Sequence, residues 1–560
     1  MKKTIWKVLA LVLALSLTLL SLIACTDGSS GSTSSSMSYD DAVKEMNALL
    51  TKVHVGKGNP PLDIYNSTEV SVADTLADIS TFPITVEGRA NVNIEVAAAT
   101  EMSSAAPDDW MNVVARKFNE AGYTLSDGRK ISVSVRKITS GEVVTYMMDG
   151  GYRPDVFVPS NFAWGLMLES AFQVTTLTDR LAGNTAGVLM KESTQKSFEE
   201  KYGDVTVGKV MEAALAGDIL FAYTNPYTSS TGLNILSSML CSFDPQSPVS
   251  EKASARLVEY QRQSPPVAYT TSVLRDQAAK GIIDTMVMEE QAYVNTPELK
   301  GYVYTPAGIR HDHPVYTFDY VSDAKQEAAR IFVDYCLNEE SQKAATDRGF
   351  NRHDNYIGEE QHMNGLDYLA AQKVWKQNKS GGVPIIAVFV ADVSGSMRGT
   401  PLNSLQTSLI NASSYIGSEN YIGLVSYSSD VTVQLEPKEF DARQRAYFSG
   451  AVKAMSAGGN TATYDAVLEG LKLVLDKQQE IPEAKPLLFV LSDGQQNAGT
   501  SYSRVKAIAG ALRVPIYTIG YNMTDTDELS DLARLNEATL INASSDDVIN
   551  QLRNLFNTQL

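Results

Sequence analysis

Through the last third of the chain, apolar runs alternate with stretches of helical spacing. IIAVFVA (385–391), YIGLVSY (421–427), PLLFVLS (486–492), VPIYTIGY (514–521) and ATLINA (538–543) are short, β-rich and bounded by turn residues. Between them lie PLNSLQTSLINASSYI, DARQRAYFSGAVKAM, TATYDAVLEGLKLVLDKQ, SYSRVKAIAGAL, DELSDLARL and DDVINQLRNLF, whose apolar positions recur every three or four residues. That alternation predicts a parallel sheet with helices on both faces. Residues 91–365 show a second α/β pattern: NVNIEVAAAT, then the amphipathic DDWMNVVARKFNEAG, then KISVSVRKIT, DVFVPSN and FAWGLMLESA. YLAAQKVWKQNKSGG (368–382) reads as a helix followed by a Gly-bearing hinge, which gives a linker over 366–382. YDDAVKEMNALLTKV opens an N-terminal extension, 38–90, that is helical at its start and carries no recognisable chemistry.

A chain of 560 residues exceeds what one core supports, so several domains are expected. At the start, Lys2, Lys3 and Lys7 precede an apolar stretch that ends in Leu22-Ile23-Ala24-Cys25, the layout of a secretory signal peptide over 1–24. The last four residues resemble the lipobox of bacterial lipoproteins. The resemblance implies cleavage before Cys25, its diacylation, and an extracytoplasmic protein anchored to the bacterial cell membrane. Residues 25–37, TDGSSGSTSSS after the Cys, read as a Ser/Gly tether. The two remaining cysteines, Cys241 and Cys336, do not make a disulfide scaffold, and the sequence leaves open whether they pair. A formal charge of −18 and no basic run in the mature chain exclude nucleic acid as a partner.

Ligands of open parallel sheets bind beyond the carboxyl ends of the strands. Three oxygen-bearing segments fall there: Asp392-Val393-Ser394-Gly395-Ser396 after the first apolar run, Thr461 between a Gly-rich loop and a helix start, and Asp493 after PLLFVLS. Two carboxylates and three hydroxyls, with no His or Cys, suit a hard cation and not Zn²⁺. These residues resemble the D-x-S-x-S, Thr and Asp of the metal-ion-dependent adhesion site in von Willebrand factor type A domains, with 383–560 as the domain. The resemblance implies a Rossmann-like doubly wound sheet, a divalent cation (Mg²⁺ first, Ca²⁺ or Mn²⁺ as alternatives), and a protein partner whose Glu or Asp carboxylate completes the coordination. No general base stands beside the site, so it is read as a binding site and not as an enzyme. Asp465 is expected to support the fold, Met397 to pack and Arg398 to be solvated.

The middle region resembles bacterial extracellular solute-binding proteins, two α/β lobes around a cleft. That implies a small solute and, as an alternative function, a receptor role in a membrane transport system. Ser229, Ser230 and Thr231, at an apparent helix start, are the candidate ligand contacts, in the manner of polar loops that hold anions. Thr100, Ser103, Ser104, Ser160 and Asn161 carry less weight, because such residues cap helices with or without a ligand. His311-Asp312-His313 reads as a loop with two solvated His, and Glu289-Glu290 as surface charge.

Overall fold

A computed structural model of the chain describes residues 37–63, 76–263, 265–268, 271–281, 283–494, 496–521, 523, 527–536, 538, 540–543 and 548–560. The expected signal peptide, the lipidation residue Cys25 and the tether up to residue 36 lie outside the described residues. Among those described, no helix is long and apolar enough to cross a membrane.

The first elements are helix α1 (Tyr39–Leu50) and strand β1 (Val55–Lys57). Ser38 caps α1 by accepting from the Asp41 amide at 3.1 Å, and Asp40 and Asp41 place negative charge in its first turn. Its buried residues, Ala42, Met46 and Leu49, follow the helical period and form one face.

Next come two lobes. The first holds a six-stranded sheet in the order Ile84–Val86, Ile131–Lys137, Val92–Ala98, Val156–Val158, Val315–Phe318, Val174–Thr178. The second holds a five-stranded sheet in the order Tyr302–Arg310, Thr185–Lys191, Thr285–Glu289, Phe221–Thr224, Val267–Ala268. The chain therefore crosses between the lobes at 179–184 and again at 311–314. Helix α2 (Ser140–Met148) belongs to the first lobe and α3 (Ser230–Phe243) to the second.

Most of the expected linker is helix. Helix α4 (Gly365–Asn378) starts with a capping box between Asn364 and Asp367 and buries Tyr368, Ala371 and Trp375. Those three residues share one packed core with Trp164 and Met167 of the first lobe and Tyr223 and Tyr260 of the second. Trp375 Nε1 donates to the Tyr223 hydroxyl at 2.7 Å, and Gln372 Nε2 to the Pro226 carbonyl at 2.8 Å. Gly365 lies so close to the Leu166 carbonyl that an added Cβ would stand 1.9 Å from it. Thus α4 spans the back of both lobes.

The C-terminal domain is a seven-stranded sheet. Its strands are β2 (Ile385–Asp392), β3 (Tyr421–Tyr427), β4 (Val431–Glu439), β5 (Lys485–Ser492), β6 (Ile516–Tyr521) and β7 (Leu540–Ala543), together with β1, in the order β1-β4-β3-β2-β5-β6-β7. All eight residues of β2 are buried, as expected of a central strand covered on both faces. The sheet is parallel except for the β3–β4 pair, which is antiparallel. Helices α5 (Thr400–Ala412) and α8 (Val548–Gln559) cover one face; α6 (Thr463–Glu480) and α7 (Tyr502–Leu512) cover the other, with α1 packed beside them.

The start of the expected N-terminal extension is therefore part of this domain. β1 runs parallel to β4, pairing Val55 with Val431; Glu45 is ion-paired with Arg504; and Asp63 accepts from Ser449 at 2.9 Å and pairs with Lys453 at 2.7 Å. The end of the extension joins the first lobe instead: Ile84–Val86 pairs with Ile131–Lys137, the Tyr146 hydroxyl donates to the Ala77 carbonyl at 2.7 Å, and Arg136 donates to the Phe82 carbonyl at 2.6 Å. In topology the two lobes are inserted between β1 and β2.

Candidate metal centre and solute cleft

Each of the five expected metal residues sits at the carboxyl end of the C-terminal sheet. Asp392 is the last residue of β2, Ser394 to Met397 turn toward α5, Thr461 precedes α6, and Asp493 directly follows β5. Ser394 Oγ lies 3.0 Å from Ser396 Oγ, which donates to Asp493 Oδ1 at 2.8 Å. The Ser394 amide donates to Asp392 Oδ1 at 2.8 Å, so one hydrogen-bonded chain links four of the five. Two backbone bonds bring the Thr461 loop alongside: Gly395 N to Gly459 O at 3.0 Å and Gly458 N to Val393 O at 2.8 Å. Gly459 has φ +85°, and a Cβ there would meet Ser428 and Ser429, so the turn needs glycine.

Two residues that sequence reasoning missed orient Asp392: Ser492 Oγ donates to its Oδ2 at 2.7 Å, and the Tyr427 hydroxyl at 3.3 Å. Ser492 was within reach, since it immediately precedes Asp493 at the same strand tip. Asp392, Ser394 and Thr461 are buried, Asp493 is half-buried and Ser396 is exposed, giving a recessed floor and an open rim. Burial, chiefly, pushes both carboxyls above the ordinary Asp range, and Asp493 adds to the effect on Asp392. Among the described residues neither carboxylate has a Lys, Arg or His within ion-pair distance. Two desolvated carboxylates without an organic counter-ion, beside three hydroxyls, fit a hard divalent cation. Asp465 accepts from the Thr500 amide at 2.9 Å and holds that loop; Met397 is buried and Arg398 exposed.

Between the lobes lies a cleft of about 800 Å³. Thr100, Ser104, Ser160, Ser229 and Ser230 line it, whereas Ser103 donates to the Ala99 carbonyl at 2.8 Å behind it. Ser229 is the N-cap of α3 and already receives Thr224 Oγ1 at 2.8 Å and the Gly232 amide at 3.3 Å. Ser230 Oγ bonds to Trp164 Nε1 at 2.8 Å and Ser140 Oγ at 3.1 Å, and Thr231 donates to Glu289. The three candidate hydroxyls are thus engaged within the protein.

The two pairs expected at the surface are not there. His311 and His313 are fully buried in the second lobe crossing, and Glu289 and Glu290 are buried at 7% and 5% exposure. His313 Nε2 lies 3.1 Å from Glu101 Oε1, and its Nδ1 2.9 Å from the Ala182 carbonyl. Asn161 and Asn234 donate to His311 Nε2 at 3.3 and 3.2 Å, which leaves the proton on Nδ1, 3.7 Å from Glu289 Oε1. Burial holds His311 neutral, with a pKa lowered to about 3. Glu289 and Glu290 do point in different directions, Glu289 to the cleft and Glu290 to His353 at 3.0 Å. A strand ending inside the interlobe space buries both. Cys241 and Cys336 are free thiols, and burial raises both above their usual range.

Two sequence families match separate parts of this architecture. Residues 96–351 match the bacterial extracellular solute-binding protein family, and residues 387–557 the von Willebrand factor type A domain. The chain joins a solute-binding region to a type A domain. Among curated proteins, inter-alpha-trypsin inhibitor heavy chain H3 of Mesocricetus auratus is 28% identical over 158 residues, 25% of this chain and 17% of that protein. Heavy chain H1 of Sus scrofa is 29% identical over 167 residues, 28% of this chain and 17% of that protein. The chain therefore spans about a sixth of the length of these relatives. Among solved structures, iron-bound HitA from Pseudomonas aeruginosa aligns at 15% identity and TM-score 0.37, covering 52% of this chain and all of that one. A von Willebrand factor type A protein from Catenulispora acidiphila aligns at 18% identity and TM-score 0.29, covering 31% of this chain and 42% of that one.

Proposed function

We propose that this is a lipid-anchored, extracytoplasmic binding protein whose type A domain grips a protein partner through a divalent cation, Mg²⁺ first among the candidates. The observation that supports it most is the donor set at the strand tips: two carboxylates without a counter-ion and three hydroxyls, gathered from Asp392, Ser394, Ser396, Thr461 and Asp493. A bound cation would offer an open coordination position to a partner's Glu or Asp carboxylate. Asp392 would anchor it from the buried floor, kept in place by Ser492 and Tyr427. Ser396 and Asp493, at the rim, would face the partner. On this reading Cys25 carries the lipid, and the protein binds and does not catalyse.

The test is calorimetric titration of the full chain with Mg²⁺, Mn²⁺ and Ca²⁺. Binding by one of them, lost in Asp392→Ala, is expected, together with a melting-temperature rise equivalent to about 2.7 kcal/mol at a hundredfold excess over Kd. Equal binding by wild type and variant would sink the metal reading. For the partner, capture from an envelope extract should yield a protein held in Mg²⁺ and released by chelator.

The interlobe cleft favours a second role beside the first, as the solute-binding component of a membrane transport system. A captured set that contains a permease and is indifferent to chelator would support that role instead.

A further inference from the structure

We propose that the interlobe cleft takes a solute whose inner end is a primary ammonium group. This rests on the reading of residues 96–351 as a solute-binding region and names the class of solute. Of the three candidate hydroxyls, Ser230 and Thr231 spend their protons on Ser140 and Glu289, and Ser229, which accepts from Thr224 and the Gly232 amide, is left as a single donor and not an oxyanion cradle. What faces the inner cleft instead is a set of acceptors: the carboxylates of Glu101, Asp108 and Glu289 and the amide of Gln291.

Gln291 is the telling residue. It is fully buried, lines the cleft, and donates its Nε2 to Asp108 Oδ1 at 2.7 Å, which fixes the orientation of the amide. Its Oε1 then has no donor among the described residues. A buried carbonyl oxygen without a donor is costly in a native protein unless a ligand supplies one. An ammonium brings three N–H groups and a positive charge for the Glu289 carboxylate. Glu101 already has His313 at 3.1 Å and Asp108 feels the charge of Arg275, but Glu289 has beside it, among the described basic residues, only His311, whose ring is neutral. Two lysines of the cleft, Lys137 and Lys280, are each more exposed than Glu289 and Gln291. They suit an acidic group at the outer end of the same solute, as in an amino acid.

The inner wall also predicts how binding depends on pH. Burial, then the charge of Glu101, raises the Glu289 pKa to about 7, against the hydroxyls of Thr231 and Thr271, which lower it; His311 stands on its other side, uncharged. An ammonium pairs with the ionised carboxylate. Below about pH 7 binding must therefore expel a proton from Glu289, and affinity falls as pH drops.

The experiment is titration of the full chain, in chelator, with lysine, γ-aminobutyrate and putrescine, and separately with sulfate and phosphate. At least one amine is expected to bind, about tenfold or more weaker in Gln291→Leu and in Glu289→Gln, with circular dichroism confirming that both variants fold. Glu289→Gln should also remove the loss of affinity below pH 7. Sulfate or phosphate binding while no amine does would overturn the ammonium and leave the solute-binding reading standing. Silence from all five compounds would overturn the ammonium and count against the solute reading as well. Amine binding that is indifferent to both substitutions would place it elsewhere and overturn the assignment to this cleft.

Discussion

Arg553→Met should destabilise the full chain by about 3–5 kcal/mol, far more than loss of a surface ion pair. Arg553, on α8 of the type A domain, pairs with Glu142 on α2 of the first lobe, and their side chains are 5% and 0% exposed. Removing the guanidinium strands a carboxylate in the interior. Removing both charges, as Arg553→Met with Glu142→Leu, should recover most of the loss, because two well-packed apolar groups replace two desolvated ions. A double-mutant cycle on denaturant midpoints measures the coupling. A single-variant cost below about 1 kcal/mol would mean that the two domains do not hold this contact in solution.

Leu49→Ala should cost about 2–5 kcal/mol, and the loss should fall on the type A domain although the residue precedes both lobes in the chain. Leu49 is 4% exposed and shares a core with Val425, Val433, Val505 and Ile508. Native-state hydrogen exchange should speed up in β4 and α7 while the sheets of the two lobes stay protected. Faster exchange in the first lobe instead would show that α1 belongs there.

These two sites also mark what a single sequence does and does not disclose. YIGLVSY is β3 residue for residue, and the apolar runs beginning at 385, 486 and 514 became β2, β5 and β6, because continuous burial leaves a continuous apolar signature. The five oxygen residues were legible for a related reason: strand ends are easy to locate, and in a parallel sheet they share one rim. Strand β4 escaped. Its residues alternate, with Val431, Val433, Leu435 and Pro437 inward, and it turns back antiparallel at an otherwise parallel edge. The period of α1 was visible but not its target, since an amphipathic face says that something is covered and not what covers it. The Lys residues of α4 had the same effect, hiding the packed stripe of Tyr368, Ala371 and Trp375. His311, His313, Glu289 and Glu290 failed for the opposite reason. Ionisable residues are mostly exposed, and only the crossing of two lobes puts these four inside.

The placement of β1 beside β4 has a mechanical consequence. The chain leaves the type A domain near residue 63 and returns to it at β2, so the two lobes hang from two covalent attachments and not from one. Non-covalent links stand apart from both, among them the buried Arg553–Glu142 pair and the bond from the Asn225 side-chain amide to Thr558 Oγ1 at 3.0 Å. Torsion of one half against the other has to strain these links together, so rotation meets more than a single swivel.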